Sequence, residues 1–148
     1  MSGPESVCLH QATGVSIGGQ GLLIEGPPGS GKSSLALALI DRGAVLIGDD
    51  GVALNLAGAV TTGRLLASPA PATTGLLEVR GLGLIPMPTT SAVPVALVLV
   101  LDRDGPRFIS EAESTIRCGA SLPLIRLWPD SPVLALRAEL ALEHYGLT

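Results

Sequence analysis

Apolar residues fall in short bursts, each cut off by glycine or proline, and the bursts alternate between strand-like and helix-like spacing. Val15–Ile17 and Gly21–Glu25 predict two strands joined at Gly18-Gly19-Gln20, because glycine supplies the positive φ that a tight hairpin turn needs. Ser33–Arg42 (SSLALALIDR) is built of helix formers, with Gly43 as its stop. Ala44–Ile47 predicts a buried strand ending at Gly48-Asp49-Asp50. Val52–Leu56 and Val60–Thr62 alternate about Ala57-Gly58, as a hairpin would. Residues 63–75, rich in Pro, Ala, Ser, Thr and Gly, predict a surface loop. Leu76–Val79 is a further apolar run, and Pro86–Ser91 reads as loop. Val95–Leu101 is a buried strand ending at Asp102, followed by a charged turn over residues 103–110. Ser114–Leu127 fits neither pattern cleanly. Pro132–Tyr145, with Leu134, Leu136, Leu140 and Leu142 among helix formers, predicts a terminal helix. Residues 1–7 read as a polar lead. With no internal repeat and no linker, the pattern predicts one domain over residues 1–148.

Composition narrows the class. Apolar residues are 47% of the 148, enough for a sizeable core, while charged residues are 15%, so disorder driven by charge is excluded for most of the chain. One Trp, one Tyr and one Phe leave the core to Leu, Val, Ile and Ala, and leave no stacking platform for single-stranded nucleic acid. The net charge is −4 with no basic run, so the chain has no electrostatic footprint for nucleic acid or an anionic membrane. The longest apolar run, Val93–Leu101, is about half of the ~18 residues that would span a bilayer. MSGPESVCLH lacks the basic-then-apolar pattern of a secretory leader, which predicts a cytoplasmic protein. Cys8 and Cys118 have no C-x-x-C spacing and are expected to be reduced, structural thiols.

The chemistry is concentrated in Gly26-Pro27-Pro28-Gly29-Ser30-Gly31-Lys32-Ser33, followed by Ser34, which fits G-x-x-x-x-G-K-[ST] between an apolar strand and a helix pattern. Glycines let the backbone wrap one phosphate, and the helix start adds its positive dipole at the same spot. Lys32 supplies a mobile charge for the β- and γ-phosphates, and the Ser33 hydroxyl is a hard ligand suited to Mg²⁺. The motif therefore predicts ATP and Mg²⁺ binding. It does not say what is done with the nucleotide.

An acidic partner has to come from elsewhere, and two candidates stand at strand ends. Asp102 follows Leu101, the usual place for a metal-binding aspartate in such folds. Asp49 and Asp50 end the strand after the helix, where two adjacent carboxylates can divide metal binding and proton transfer. Glu78 and Arg80 are spaced to share one face of a strand, ahead of Gly81-Leu82-Gly83. A Glu there could ligate Mg²⁺ and an Arg could neutralise phosphoryl charge.

Taken together, His10, GLLIEGPPGSGKS, SLALALIDRGAVLIGDD and LLEVRGLGLI resemble the C-terminal catalytic domain of HPr kinase/phosphorylase, in the short form that looks alphaproteobacterial. The resemblance implies an α/β fold with a mixed sheet, a phosphate-loop core akin to phosphoenolpyruvate carboxykinase. It also implies phosphorylation of a serine on the phosphocarrier protein HPr, and phosphorolysis of the product. Carried over, residues 26–34 bind the nucleotide, and Asp49 is the general base with Asp50 its carboxylate neighbour. Ser33, Asp50 and Glu78 hold Mg²⁺. Arg80 and Arg107 are active-site arginines, and His10 assists the acidic group; Asp102 is then not a metal ligand. Trp128-Pro129-Asp130-Ser131-Pro132 stands where the family carries a Pro-Gly-Arg-Asn-like segment, and a homo-oligomer, a hexamer in longer relatives, is implied. Two readings compete: a small-molecule kinase of the nucleoside-monophosphate type, and a non-catalytic nucleotide-binding regulator.

Overall fold

The computed structural model describes residues 7–56 and 64–148. Among these residues eleven strands and two α-helices follow in the order β1 (Val7–His10), β2 (Thr13–Ile17), β3 (Gln20–Glu25), α1 (Lys32–Asp41), β4 (Val45–Gly48), β5 (Val52–Asn55), β6 (Leu66–Pro69), β7 (Leu76–Val79), β8 (Gly83–Pro86), β9 (Val93–Leu101), β10 (Glu113–Arg117), β11 (Ala120–Leu127) and α2 (Leu134–Tyr145), with a short 3-10 turn at Pro71–Thr73 between β6 and β7. The predicted strand at Val60–Thr62 and its Ala57-Gly58 turn lie outside the described residues.

The nine-stranded sheet is mixed and runs β1-β5-β6-β9-β3-β2-β4, with β11 also on β9 and β10 on β11. It branches at β9. The start of β9 pairs antiparallel with β6 through Val93 and Pro94, while Val98–Leu101 pair parallel with β11. The long apolar run is what makes this possible, since a strand covered on both faces reads as continuous hydrophobics rather than alternation. Its side chains serve two cores, and an irregularity in its pairing with β3, between Val95 and Leu97, switches which face the odd-numbered residues take. Leu97, Leu99 and Leu101 join Leu22, Ile24, Leu35, Leu39 and Ala138 beneath the helices. Val95 and Val98 join Leu23, Ile47, Leu54 and Leu124 on the other face. The terminal helix buries Leu134, Ala138 and Ala141, and leaves Leu136 and Leu140 exposed.

Two expectations are corrected and one undecided segment is resolved. Residues 63–75 are not all surface loop: β6 lies within them, with Leu65 and Ala67 buried, because the strand completes the β5–β9 ladder. The undecided Ser114–Leu127 is a hairpin whose two-residue turn, Cys118-Gly119, has positive φ at both positions (48° and 81°), the signature of a type I′ turn. Cys8 and Cys118 are not free thiols but form a disulfide. Their separation of 110 residues carries no local signal, yet the fold brings edge strand β1 against the β10–β11 turn, with the two Cα atoms 6.0 Å apart.

The same junction holds an ionic cluster. Arg117 donates to both oxygens of Glu25, from Nη2 at 2.7 Å and Nε at 2.9 Å, and His10 Nε2 lies 2.7 Å from Oε2. Burial pushes the Glu25 carboxyl up, but the hydrogen bonds and charges of Arg117 and His10 outweigh it and bring it from an ordinary 4.5 to about 2.

Two outcomes follow from this junction. A carboxyl with a depressed pKa stabilises the fold above pH 4.5 and loses that stabilisation as pH falls from 4.5 toward 2, an effect on the order of 3 kcal/mol. In urea titrations, Glu25→Gln is therefore expected to be less stable than the parent protein at pH 7, with the gap narrowing below pH 4.5 and closing only as pH nears 2; a constant gap overturns the assignment. Closing a loop of this length confines the unfolded chain, so reduction of Cys8–Cys118 should cost on the order of 2–5 kcal/mol. Equal urea midpoints with and without dithiothreitol would show that the bond adds nothing in solution.

Candidate active site

Residues 26–33 leave β3 and turn into α1. A Cβ at Gly26 would stand 2.6 Å from Ser30 Oγ and 3.2 Å from the Leu101 carbonyl, so only glycine lets the loop pass the end of β9. Gly31 caps α1 at φ 102°, a conformation that disfavours a side chain. The α1 amides before Leu35, which bonds to Gly31 O, have no partner within the helix and form a donor-rich end of positive dipole. Lys32 Nζ folds back on the loop carbonyls of Gly26 (3.1 Å) and Pro27 (3.4 Å). Ser30 Oγ is buried against Gly26 with no hydrogen-bond partner.

Asp49 is the centre of the site. It follows β4 and is 8% exposed. Its Oδ1 accepts from Ser33 Oγ at 2.7 Å and from Thr13 Oγ1 at 3.0 Å, and its Oδ2 accepts from the Glu78 amide at 2.8 Å. Three separate elements thus converge on one carboxylate, which the burial of a charge requires. Asp50 is different: it is exposed, and its backbone sits at φ 59°, a left-handed conformation that aspartate tolerates. Its amide donates to Thr13 Oγ1 at 3.3 Å.

The β7–β8 hairpin closes one wall. Leu77 is buried in the helix-side core and anchors it, while Glu78 and Arg80 line the cleft. Arg80 is not on the strand face that i, i+2 spacing suggested. The ladder ends at Val79–Gly83, and Arg80 lies in the intervening turn, closed by the Leu82 amide on Val79 O. The opposite wall is the Pro129–Pro132 segment with Leu134 and Ala135. Between the walls lies an open cleft of about 940 Å³, of the size that holds a nucleotide.

The structure brings Gly26, Gly29, Ser30, Lys32, Ser33, Ser34, Asp49, Asp50, Glu78 and Arg80 to this cleft. Pro28 and Gly31 line it as well, and Pro27 takes part through its carbonyl contact with Lys32. It does not bring in His10 or Arg107. His10 serves Glu25 at the base of the loop. Arg107 is exposed, its guanidinium 5.5 Å from the ring of its neighbour Phe108. Asp102 is outside the lining too, held by Arg126 at 3.2 Å and by the Asp104 amide. Sequence reasoning missed Thr13, Gln11, Leu134 and Ala135, and singled out the 129–132 stretch only as a departure from the family pattern. Thr13 had a faint signal, a hydroxyl in an otherwise apolar strand start, but its partner is 36 residues away.

Comparison with known proteins gives the chain's family. Residues 5–91, more than half of the chain, match the family model described as HPr Serine kinase C-terminal domain. The HPr kinase/phosphorylase of Clostridium tetani is 45% identical over 75 residues, which is 51% of this chain and 23% of that protein. That of Chlorobium chlorochromatii is 34% identical over 125 residues, 76% of this chain and 37% of that protein. The chain therefore spans well under half the length of these curated relatives. The solved Hpr(Ser) kinase/phosphatase from Coxiella burnetii superposes with a TM-score of 0.78 at 25% identity, covering 92% of this chain and 94% of that one. The agreement reaches beyond the matched segment of the family model to the β9–α2 half of the fold, and the chain belongs to the HPr serine kinase C-terminal domain family.

Proposed function

We propose that the cleft binds ATP with Mg²⁺ and transfers the γ-phosphoryl group to a serine of an HPr-type phosphocarrier protein. The observation that carries this reading is the 2.7 Å hydrogen bond from Ser33 Oγ to buried Asp49, at the donor-rich start of α1. Two hard oxygens suited to a divalent cation thus stand beside the glycine loop, which supports the reading. Among the described residues no group of three or more His, Cys, Asp or Glu could hold a metal alone. The remaining ligands would be phosphate oxygens and water, which is the ordinary coordination of Mg²⁺. When bound, Mg²⁺ neutralises charge on the β- and γ-phosphate oxygens.

The chain's own residues do the rest. Lys32 exchanges the Gly26 and Pro27 carbonyls for phosphate oxygens, and Arg80 meets the transferring group from the opposite wall. The environments of the two aspartates favour exchanging the roles expected from the sequence. Asp49 already accepts three hydrogen bonds and is well suited to orient Ser33. Exposed Asp50, at the mouth, takes the proton from the attacking serine hydroxyl. In phosphorolysis an oxygen of inorganic phosphate attacks the phosphorus of phosphoserine, the bond from that phosphorus to the serine oxygen breaks so that pyrophosphate is the product, and protonated Asp50 gives its proton to the departing serine oxygen. A protein acceptor is favoured over a small metabolite by Leu82 and Leu84, which are 76% and 63% exposed on the hairpin that carries Arg80. A single catalytic domain with a carboxykinase-like core, self-association and a cytoplasmic setting belong to the same reading; among the described residues no helix is long and apolar enough to cross a membrane.

The test is transfer from γ-labelled ATP to HPr of the same cell, with an acceptor-serine→Ala HPr as control. Asp50→Asn is expected to lower kcat by about 10²–10⁴-fold with nucleotide affinity preserved. Asp49→Asn is expected to weaken Mg²⁺-dependent nucleotide binding. Label that appears on HPr but is indifferent to Asp50→Asn would return the base to Asp49. Tight ATP binding with no label on HPr would move the weight to a nucleotide-binding regulator.

A further inference from the structure

Thr13 is wholly buried, and its hydroxyl is spent at the candidate active site rather than on its own strand. It donates to Asp49 Oδ1 at 3.0 Å, the same oxygen that takes the Ser33 hydroxyl, and it accepts from the Asp50 amide at 3.3 Å. The backbone is arranged to make this meeting happen. In the β2–β4 ladder Gly14 pairs with Gly48 but Val15 pairs with Leu46, so one extra residue, Ile47, is inserted on β4. Such a bulge re-aims the side chains that follow it. Here it delivers Asp49 to the position across from Thr13. A β-branched side chain has few rotamers, so the hydroxyl is held where the carboxylate arrives.

We infer that Thr13 is a positioning residue for the metal half of the site: it fixes the Asp49 carboxylate against Ser33 and, through the Asp50 amide, holds the second aspartate in its left-handed turn. This rests on the reading that the cleft binds a Mg²⁺-nucleotide, and it adds a residue that the phosphate-loop motif does not contain. Outer partners of this kind typically change metal affinity 10–100-fold when removed. The nucleotide's phosphates, in contrast, would meet the 26–33 loop and Lys32, whereas the hydrogen bonds of the Thr13 hydroxyl go to Asp49 and Asp50. Its removal should therefore separate two quantities that a general loss of structure would move together.

The experiment is titration of the full chain, disulfide intact, with ADP in EDTA and with ADP in Mg²⁺, for the parent, Thr13→Val, Thr13→Ser and Asp49→Asn proteins. For Thr13→Val, Mg²⁺-free affinity is expected within about twofold of the parent, while the tightening produced by Mg²⁺ falls about 10–100-fold. Thr13→Ser should restore most of that tightening. In an Asp49→Asn background, Thr13→Val should add nothing. Full Mg²⁺-dependent tightening in Thr13→Val overturns the inference, and so does an equal loss of Mg²⁺-free and Mg²⁺-dependent affinity. If Thr13→Val does not fold, as judged by circular dichroism, Thr13→Ala carries the same measurement. A parent protein that binds no nucleotide sinks the reading beneath the inference. A parent that binds Mg²⁺-nucleotide but does not label HPr sinks only the proposed acceptor.

Discussion

A buried carboxylate needs hydrogen-bond donors, and the three that Asp49 receives come from the three pieces that make the site. The Thr13 hydroxyl belongs to β2, the Ser33 hydroxyl to the start of α1, and the Glu78 amide to the β7–β8 hairpin. Only α1 adjoins β4 along the chain; β2 and the β7–β8 hairpin reach it from a distance in sequence. Removing one donor leaves a charge with a poorer environment, so the phosphate loop, the sheet and the hairpin are held in register by a single electrostatic demand. The hydrophobic core brings the elements near: Leu77 seats the hairpin and Leu35 seats the helix. Apolar contacts are not directional, however, and the final alignment is left to the polar ones.

A second junction works from behind the loop. Glu25 is the last residue of β3 before the glycine turn, and its ion pair with Arg117 and contact with His10 tie that strand end to β10 and to β1. The Cys8–Cys118 bond lies two residues before His10 and one after Arg117, and closes the same corner covalently. The loop therefore hangs from a strand end fixed on both sides, which suits a backbone that must keep one shape around a phosphate. His10 thus supports the loop from below instead of entering the cleft.

What could be read from the sequence was local. The strand, glycine loop and helix around residues 21–42 have consecutive signals, and the paired aspartates end an obvious apolar run, so both appear where expected. The long run at Val93–Leu101 is equally plain. Features that depend on distant partners were not legible. β6 is a strand because β5 and β9 leave a gap for it, while its own composition reads as loop. Thr13 matters because a bulge in another strand places Asp49 beside it. The cysteines pair because an edge strand and a hairpin turn meet in space. Arg80 kept its place in the cleft but lost its place on the strand, since a turn of three residues begins one position earlier than alternation alone suggests.

The two adjacent aspartates make the same point about chemistry. Identical side chains one residue apart face different surroundings, one saturated with donors and one open to solvent, and surroundings assign roles that residue type cannot. Charge in the cleft adds a further constraint. Its lining carries Lys32 and Arg80 against Asp49, Asp50 and Glu78, while the carboxylate of Asp130 is taken by Arg103. A triphosphate entering alone would meet more negative than positive charge. A nucleotide that arrives with its divalent cation reverses that balance, because the cation meets the carboxylates while the phosphates meet the loop and Lys32. On the proposed reading, the acidic side of the cleft makes metal and nucleotide bind as one unit, and Asp49, fixed from three directions, is the point at which their binding is joined.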